Sequence, residues 1–145
     1  MNKVAVISLN QKNTFYEGKI EKIAKKILQL LKKENCYLEI FLINKRKMKI
    51  LNKKFRNPSK KQASILTFVE PKNFPHPESK LRHLGEIYLK LPITNYPAKD
   101  EARQKRQLLI TLLAHGLLHL LGFEHRKKSD RIKMETREKF LISHV

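Results

Sequence analysis

Three histidines near the carboxyl end of the chain have the spacing of a metal site. They lie in the stretch AHGLLHLLGFEH, residues 114–125, as His115, His119 and His125. His115 and His119 are four residues apart in an apolar segment, so in a helix both imidazoles project from the same face, one turn apart. Gly122 can end such a helix because glycine tolerates a positive φ, and His125 then follows three residues later.

The pattern H-x-x-x-H-x-x-G-x-x-H has the spacing of the metzincin zinc helix, in which three imidazoles bind zinc and leave a fourth position open for water. A lone histidine in an apolar helix is more often a hydrogen-bonded core residue, but a third histidine after a correctly placed glycine favours the metal. We therefore predict that His115, His119 and His125 bind one Zn²⁺. The remaining histidines lack this spacing and are interpreted as surface or loop residues: His76, His83 and His144.

One position in the motif argues against a peptidase. A metzincin protease has glutamate directly after the first histidine as its general base, and here that position is Gly116. Without the carboxylate, the peptidase mechanism lacks its proton acceptor. Glu86 and Glu124 are the nearest candidates for a base, although Glu124 is equally suited to hydrogen-bond a ligand imidazole.

The elements that must position these residues follow from the hydrophobic pattern. Apolar and β-branched runs predict strands at 4–9, 36–43, 63–70 and 85–91. Amphipathic spacing predicts helices over 18–35, 45–56, about 100–121 and 129–143, the third with Asp100 as its N-cap. The order βαβαββαα, without repeats or linkers, predicts one small α+β domain over residues 1–145, with a mixed four-stranded sheet covered by helices.

The charge of the chain favours a polyanionic partner. Its 145 residues include 32 Lys and Arg against 13 Asp and Glu, for a formal net charge of +19. Of these cations 24 are lysine, and lysine-rich composition can also reflect genome bias or a thermophilic surface. Because balancing carboxylates are scarce as well, nucleic acid or the ribosome is the favoured partner.

Cysteine usage and the lengths of the apolar runs indicate the compartment. Cys36 is the single cysteine, so no disulfide framework exists, as expected in a reducing cytoplasm. The amino-terminal apolar run is too short for a signal peptide. The longest apolar run, Leu108 to Leu121, falls short of the roughly 18 residues that a membrane span needs. We expect a cytoplasmic protein without a membrane anchor.

The motif HGLLHLLGFEH resembles the signature of the YbeY family, zinc-dependent endoribonucleases of ribosomal RNA maturation, which also have glycine after the first histidine. Three further segments resemble motifs of that family: LNKKFR at 51–56, SILTF at 64–68 and LGEIYL at 84–89. Length and element order match over essentially the whole chain. Three positions depart from the family pattern: Ser64 in place of Asp or Asn, Thr67 in place of Ser, and Glu124 in place of Asp.

The resemblance implies a single-strand-specific, metal-dependent endoribonuclease that acts in ribosomal RNA processing, at the 3′ end of 16S rRNA, and in ribosome quality control. It implies a catalytic centre made of the zinc ligands His115 and His119 together with Arg56, whose guanidinium would contact the phosphate. The expected partners are single-stranded or ribosomal RNA and the ribosome. The alternative is a non-catalytic ribosome assembly factor with structural zinc. A closed tetrahedral site would favour that alternative, and an open fourth position the nuclease.

Overall fold

The computed structural model describes residues 1–56, 63–71, 74–91 and 101–145, with only the backbone at 101 and 102. The strands are β1 Lys3–Ser8, β2 Cys36–Ile43, β3 Ile65–Val69 and β4 Arg82–Lys90. The α-helices are α1 Glu17–Leu30, α2 Lys45–Phe55, α3 Glu101–Leu120 and α4 Lys128–His144. The predicted order and fold class are confirmed: a small α+β domain with one mixed four-stranded sheet.

The helices differ from the sequence prediction in two places. Helix α1 ends at Leu30, five residues before its predicted end at 35. A 3₁₀ helix, Gln11–Tyr16, joins β1 to α1, and the side chain of Asn10 caps it by accepting a hydrogen bond from the backbone N–H of Lys12. The predicted N-cap of α3, Asp100, lies outside the described residues. Within the part of the chain that the structure describes, no helix has the length and apolar character needed to cross a membrane.

The sheet has the strand order β1-β2-β4-β3. β1 pairs with β2, and β2 with β4, in parallel, whereas β3 pairs antiparallel with β4 and lies at the edge. Parallel neighbours need a crossover connection, which α1 provides between β1 and β2. The edge strand β3 is therefore the one that runs against the direction of the other three.

Alternate residues along the strands face two separate apolar layers. Leu38 and Ile40 of β2 pack with residues of α1, α3 and α4 in the larger core. Phe41 and Ile43 of the same strand face the other side, where they pack with Met48 of α2. Helices α1, α3 and α4 thus cover one face of the sheet and α2 covers the opposite face.

Helix α3 approaches the sheet closely at Gly116. A Cβ atom built at this position would lie 2.9 Å from Cδ1 of Ile65 and 3.4 Å from side-chain carbons of Ile87 and Thr67. The missing side chain lets the helix backbone pack directly against β3 and β4. This contact determines which side of α3 faces the sheet, and with it the direction in which the neighbouring His115 projects.

Gly85 provides a test of the pairing between β3 and β4. Its φ is +136°, and a Cβ atom there would lie 2.1 Å from the backbone oxygen of Phe68. We expect Gly85→Ala to lower the free energy of unfolding by at least about 2 kcal/mol, because neither the backbone angle nor the adjacent carbonyl admits a methyl group. Urea unfolding followed by circular dichroism measures this change.

Gly18→Ala is the matched control for Gly85→Ala. Gly18 is exposed in the first turn of α1, and no atom lies within 4 Å of an added Cβ. Alanine is the better helix former, so this variant should change stability by less than about 1 kcal/mol, in the stabilising direction. Equal stabilities of the two variants would contradict the described strand pairing.

Candidate metal centre

Helix α3 carries His115 and His119 on one face, one turn apart, as their spacing predicts. Both side chains are half-buried, and their Nε2 atoms lie 3.0 Å apart. The ring centroid of His125, in the exposed segment after the helix, lies 5.0 Å from that of His119 and 5.8 Å from that of His115. One nitrogen from each ring lies within 4.8 Å of the others. The structure therefore brings the three predicted ligands together.

The chain returns to the helix through a turn at Gly122, whose φ is +98°. The N–H of Gly122 donates to the carbonyl of His119, and the N–H of Phe123 donates to the carbonyl of Leu118. These two bonds make a Schellman motif, the turn that glycine favours at a helix end. The predicted helix end is thus observed, and the reversal directs the following residues, including His125, back to the face that carries His119.

Each histidine on α3 is oriented through its Nδ1 atom. Nδ1 of His119 lies 3.0 Å from the carbonyl oxygen of Phe123, and because a carbonyl only accepts, the proton is on Nδ1. Nδ1 of His115 lies 2.6 Å from Oε1 of Glu138, a carboxylate acceptor. In neutral rings arranged in this way, both Nε2 atoms keep a lone pair and face each other without a proton between them. A cation bound to both nitrogens would remove that repulsion.

The nitrogen positions fit a tetrahedral metal ion. Zn–N bonds of about 2.0–2.1 Å at tetrahedral angles place two ligand nitrogens about 3.3 Å apart, close to the 3.0 Å between Nε2 of His115 and Nε2 of His119. Burial lowers the pKa of His119, and the nearby His115 and His125 lower it further. A lowered pKa favours the neutral imidazole that a metal requires. The cluster can therefore hold a metal ion.

Gly116 faces the sheet rather than the three histidines. A side chain at this position would point at Ile65, Thr67 and Ile87. Glutamate at this position, which carries the general base in metzincin peptidases, would therefore displace the side chain of Ile65 and place its carboxylate among apolar groups. This packing gives a structural reason for the glycine, and it agrees with the sequence argument against a peptidase.

The two carboxylates that the sequence put forward as a base have different locations. Oε2 of Glu86 accepts a hydrogen bond from Tyr88 at 3.0 Å, on the sheet face that α2 covers, whereas α3 covers the other face. Burial and this hydrogen bond raise the pKa of Tyr88 to about 12, so the phenol remains a donor. Glu86 as a base at the metal is therefore wrong. Glu124 is exposed beside the turn at Gly122, and its role stays a prediction.

Glu138, the carboxylate that contacts the cluster, was not identified from the sequence. It lies on α4, and its side chain is 19% exposed. The spacing of residues in α4 could have indicated that Glu138 faces inward. It lies on the same helix face as Met134 and Leu141, which are both buried. A carboxylate in line with buried apolar residues needs a polar partner inside the protein.

Arg56 follows the last residue of α2, as the sequence predicts, and its backbone N–H donates to the carbonyl of Asn52. Its side-chain Nε atom is buried and has no hydrogen-bond partner among the described residues. Among the described residues, the hydrogen bonds from Nδ1 of His115 and His119 go to Glu138 and Phe123, not to Arg56. The location of the Arg56 guanidinium at the mouth of a metal cleft therefore stays a prediction.

The remaining histidines do not all match their interpretation as surface or loop residues. His144 is exposed at the end of α4, and His76 lies in the loop before β4. His83, however, belongs to strand β4, is half-buried and stacks on His76. The interpretation of His83 was wrong because the strand begins three residues earlier than its apolar run indicates.

Comparison with known proteins gives a consistent family. A family model described as Endoribonuclease YbeY matches residues 6–145. The chain is 32% identical over 137 residues to the Endoribonuclease YbeY of Pelagibacter ubique, which covers 94% of this chain and 86% of that protein. It is 29% identical over 115 residues to the Endoribonuclease YbeY of a Sulfurihydrogenibium species, and this match covers 79% of this chain and 73% of that protein. A solution structure of TM1509 from Thermotoga maritima has a TM-score of 0.53 at 21% identity, covers 97% of this chain and 87% of that one, and supports the fold alone. The chain belongs to the YbeY family.

Proposed function

We propose that this chain is a single-strand-specific, metal-dependent endoribonuclease that acts in ribosomal RNA processing, at the 3′ end of 16S rRNA, and in ribosome quality control. The observation that carries the proposal is the convergence of His115, His119 and His125 in a chain whose relatives are named endoribonucleases. We place the activity in one domain over residues 1–145, and in the cytoplasm, where ribosomal RNA is processed. The family match does not favour the non-catalytic assembly factor.

We assign His115, His119 and His125 as the residues that would hold one Zn²⁺. A bound ion would supply Lewis-acid chemistry, polarising a phosphoryl oxygen and lowering the pKa of a water to about 7. The part played by the chain is to orient the imidazoles, and burial lowers the pKa of His119, which favours its neutral form. Glu138 accepts from Nδ1 of His115, and the carbonyl of Phe123 accepts from Nδ1 of His119. Hydrogen bonds of this kind fix the orientation of a ligand ring and raise its basicity.

We assign Arg56 to the phosphate group of the substrate. Arg56 ends the segment LNKKFR at 51–56, which resembles a motif of the family, and it directly follows the last residue of α2. The planar guanidinium can offer two parallel N–H groups to one phosphate, where negative charge builds up during cleavage.

The proposed partner is RNA, either single-stranded or within the ribosome. The chain has a net charge of +19, and three exposed cations directly follow the last histidine of the cluster: Arg126, Lys127 and Lys128. Cations that neutralise phosphates release counterions, which favours binding whatever the base sequence. Attraction between these cations and the phosphate backbone of RNA would therefore provide affinity near the cluster, without recognition of particular bases.

The first test of this function compares three proteins purified in the same way with zinc: wild type, His119→Ala and His144→Ala. We expect His119→Ala to lose bound metal and to reduce cleavage of single-stranded ribosomal RNA fragments by at least about a hundredfold, because two imidazoles do not retain the ion. His144 is exposed outside the cluster, so its variant should keep both properties. Gel assays with and without chelator, together with metal analysis, give the two readouts. Equal cleavage by wild type and His119→Ala would assign the activity to a contaminating ribonuclease and remove the enzymatic proposal.

The second test concerns the arginine. Arg56→Ala should lower kcat/KM for RNA cleavage by about a hundredfold, the usual effect of removing one donor to developing charge. Arg56→Lys should restore little, since a point charge does not replace a planar fork. Arg46→Ala, at an exposed position in the first turn of the same helix, is the control for general loss of charge. Full activity in Arg56→Ala would exclude this residue from the mechanism.

A further inference from the structure

Four aromatic and imidazole rings lie in a row at one end of the sheet: Phe74, His76, His83 and Tyr37, here named the ring row. His76 and His83 stack face to face, with centroids 3.5 Å apart and planes inclined by 2°. The Phe74 ring lies 5.2 Å from that of His76, and the Tyr37 ring lies 4.8 Å from that of His83. Phe74 is the open end of the row, since 58% of its surface is exposed.

Three members of the ring row line a cavity of about 590 Å³: Phe74, His76 and His83. The same cavity is lined by Leu121 and Gly122, which belong to the turn between two histidines of the metal cluster. The cavity therefore adjoins the end of helix α3 that carries the cluster. Its volume lies in the usual range of ligand sites, about 300–1000 Å³.

Ring contacts, rather than hydrogen bonds, hold the side chain of His83 in place. Its Nε2 atom is buried and has no hydrogen-bond partner in the part of the chain that the structure describes. His76 differs, since its Nε2 lies 2.7 Å from Oε1 of Glu70. The only carboxylate in the described wall of the cavity is thus already bonded to an imidazole, which limits its repulsion of an anionic ligand.

The ring row does not have the geometry of a second metal site. Parallel stacked imidazoles do not direct their nitrogens at a common point, as a tetrahedral ion requires. Among the described residues, the cluster on α3 is the one group of three side chains close enough to share an ion. An exposed phenylalanine ring at the wall of a cavity instead matches the aromatic surfaces on which proteins stack the bases of single-stranded nucleic acids.

We propose that this cavity binds an unpaired nucleobase of the RNA strand, stacked on the ring of Phe74. This inference rests on the proposed function. The strand that is cleaved at the metal cluster would place the base of another of its nucleotides in this cavity. Every base has a π-face, so the site would accept bases of any identity. Two exposed cations, Lys80 and Arg82, lie close to His83 in the sequence. They could neutralise the phosphates on either side of the bound base.

The test compares wild type with Phe74→Ala and Phe74→Tyr, and uses Phe15→Ala as the matched control. Phe15 is also an exposed phenylalanine, at 87%, but lies on the 3₁₀ helix and contacts only Tyr16 among the described rings. The probes are a labelled short oligouridylate, the same length of abasic strand, and an oligonucleotide with one 2-aminopurine. Fluorescence anisotropy gives Kd, and quenching of 2-aminopurine reports stacking directly. Circular dichroism checks that each variant is folded.

We expect Phe74→Ala to weaken oligouridylate binding about tenfold, within the range that stacking on one ring provides, and to abolish the quenching. Phe74→Tyr, which keeps a ring, and Phe15→Ala should bind as wild type does. Affinity for the abasic strand should be the same in all four proteins. Unchanged oligouridylate affinity in Phe74→Ala, or an equal loss of affinity for the abasic strand, overturns the base site.

The two proposals fail in distinguishable ways. If wild type shows Phe74-dependent binding and quenching but no metal-dependent cleavage, the base site stands and the nuclease function fails. If wild type cleaves RNA while Phe74→Ala keeps wild-type affinity and KM, the function stands and the base site fails. A raised KM in Phe74→Ala with unchanged kcat supports both.

Discussion

A left-handed backbone at Gly122, with φ at +98°, lets helix α3 end directly after His119 and reverse. The same turn performs three tasks. It satisfies carbonyl groups at the end of the helix, places the Phe123 carbonyl against Nδ1 of His119, and returns His125 to the helix face. A residue with a side chain would strain this backbone. The orientation of one ligand and the arrival of another therefore depend on a single helix-ending motif.

The packing around α3 determines the rest of the environment of the cluster. The bare backbone at Gly116 lies against β3 and β4, so the histidine face of the helix is turned away from the sheet. Glu138 reaches His115 from α4, which covers the same sheet face as α3. The result is a site with two hydrogen-bonded imidazoles, a third from an exposed segment, and no carboxylate at the position that a peptidase would use.

Much of this architecture follows from local sequence patterns. Strand β2 occupies 36–43 as predicted, and the helix end at Gly122 is observed, because alternation, amphipathic spacing and glycine chemistry act over a few residues. The contact between Glu138 and His115 spans 23 residues and depends on how two helices pack, which periodicity does not specify. The stack of His83 on His76 depends on the path of a loop. The 3₁₀ helix after Asn10 lacks an apolar period that would reveal it.

A crystal structure of the zinc-loaded protein is the sharpest test of the three-histidine metal site, since it shows every ligand of the ion. We predict one Zn²⁺ bound by Nε2 of His115, Nε2 of His119 and one ring nitrogen of His125, at about 2.0–2.1 Å. A water molecule should occupy the fourth position, and Glu138 should remain bonded to Nδ1 of His115. A fourth protein ligand that closes the tetrahedron, or an ion bound away from these histidines, would contradict this prediction.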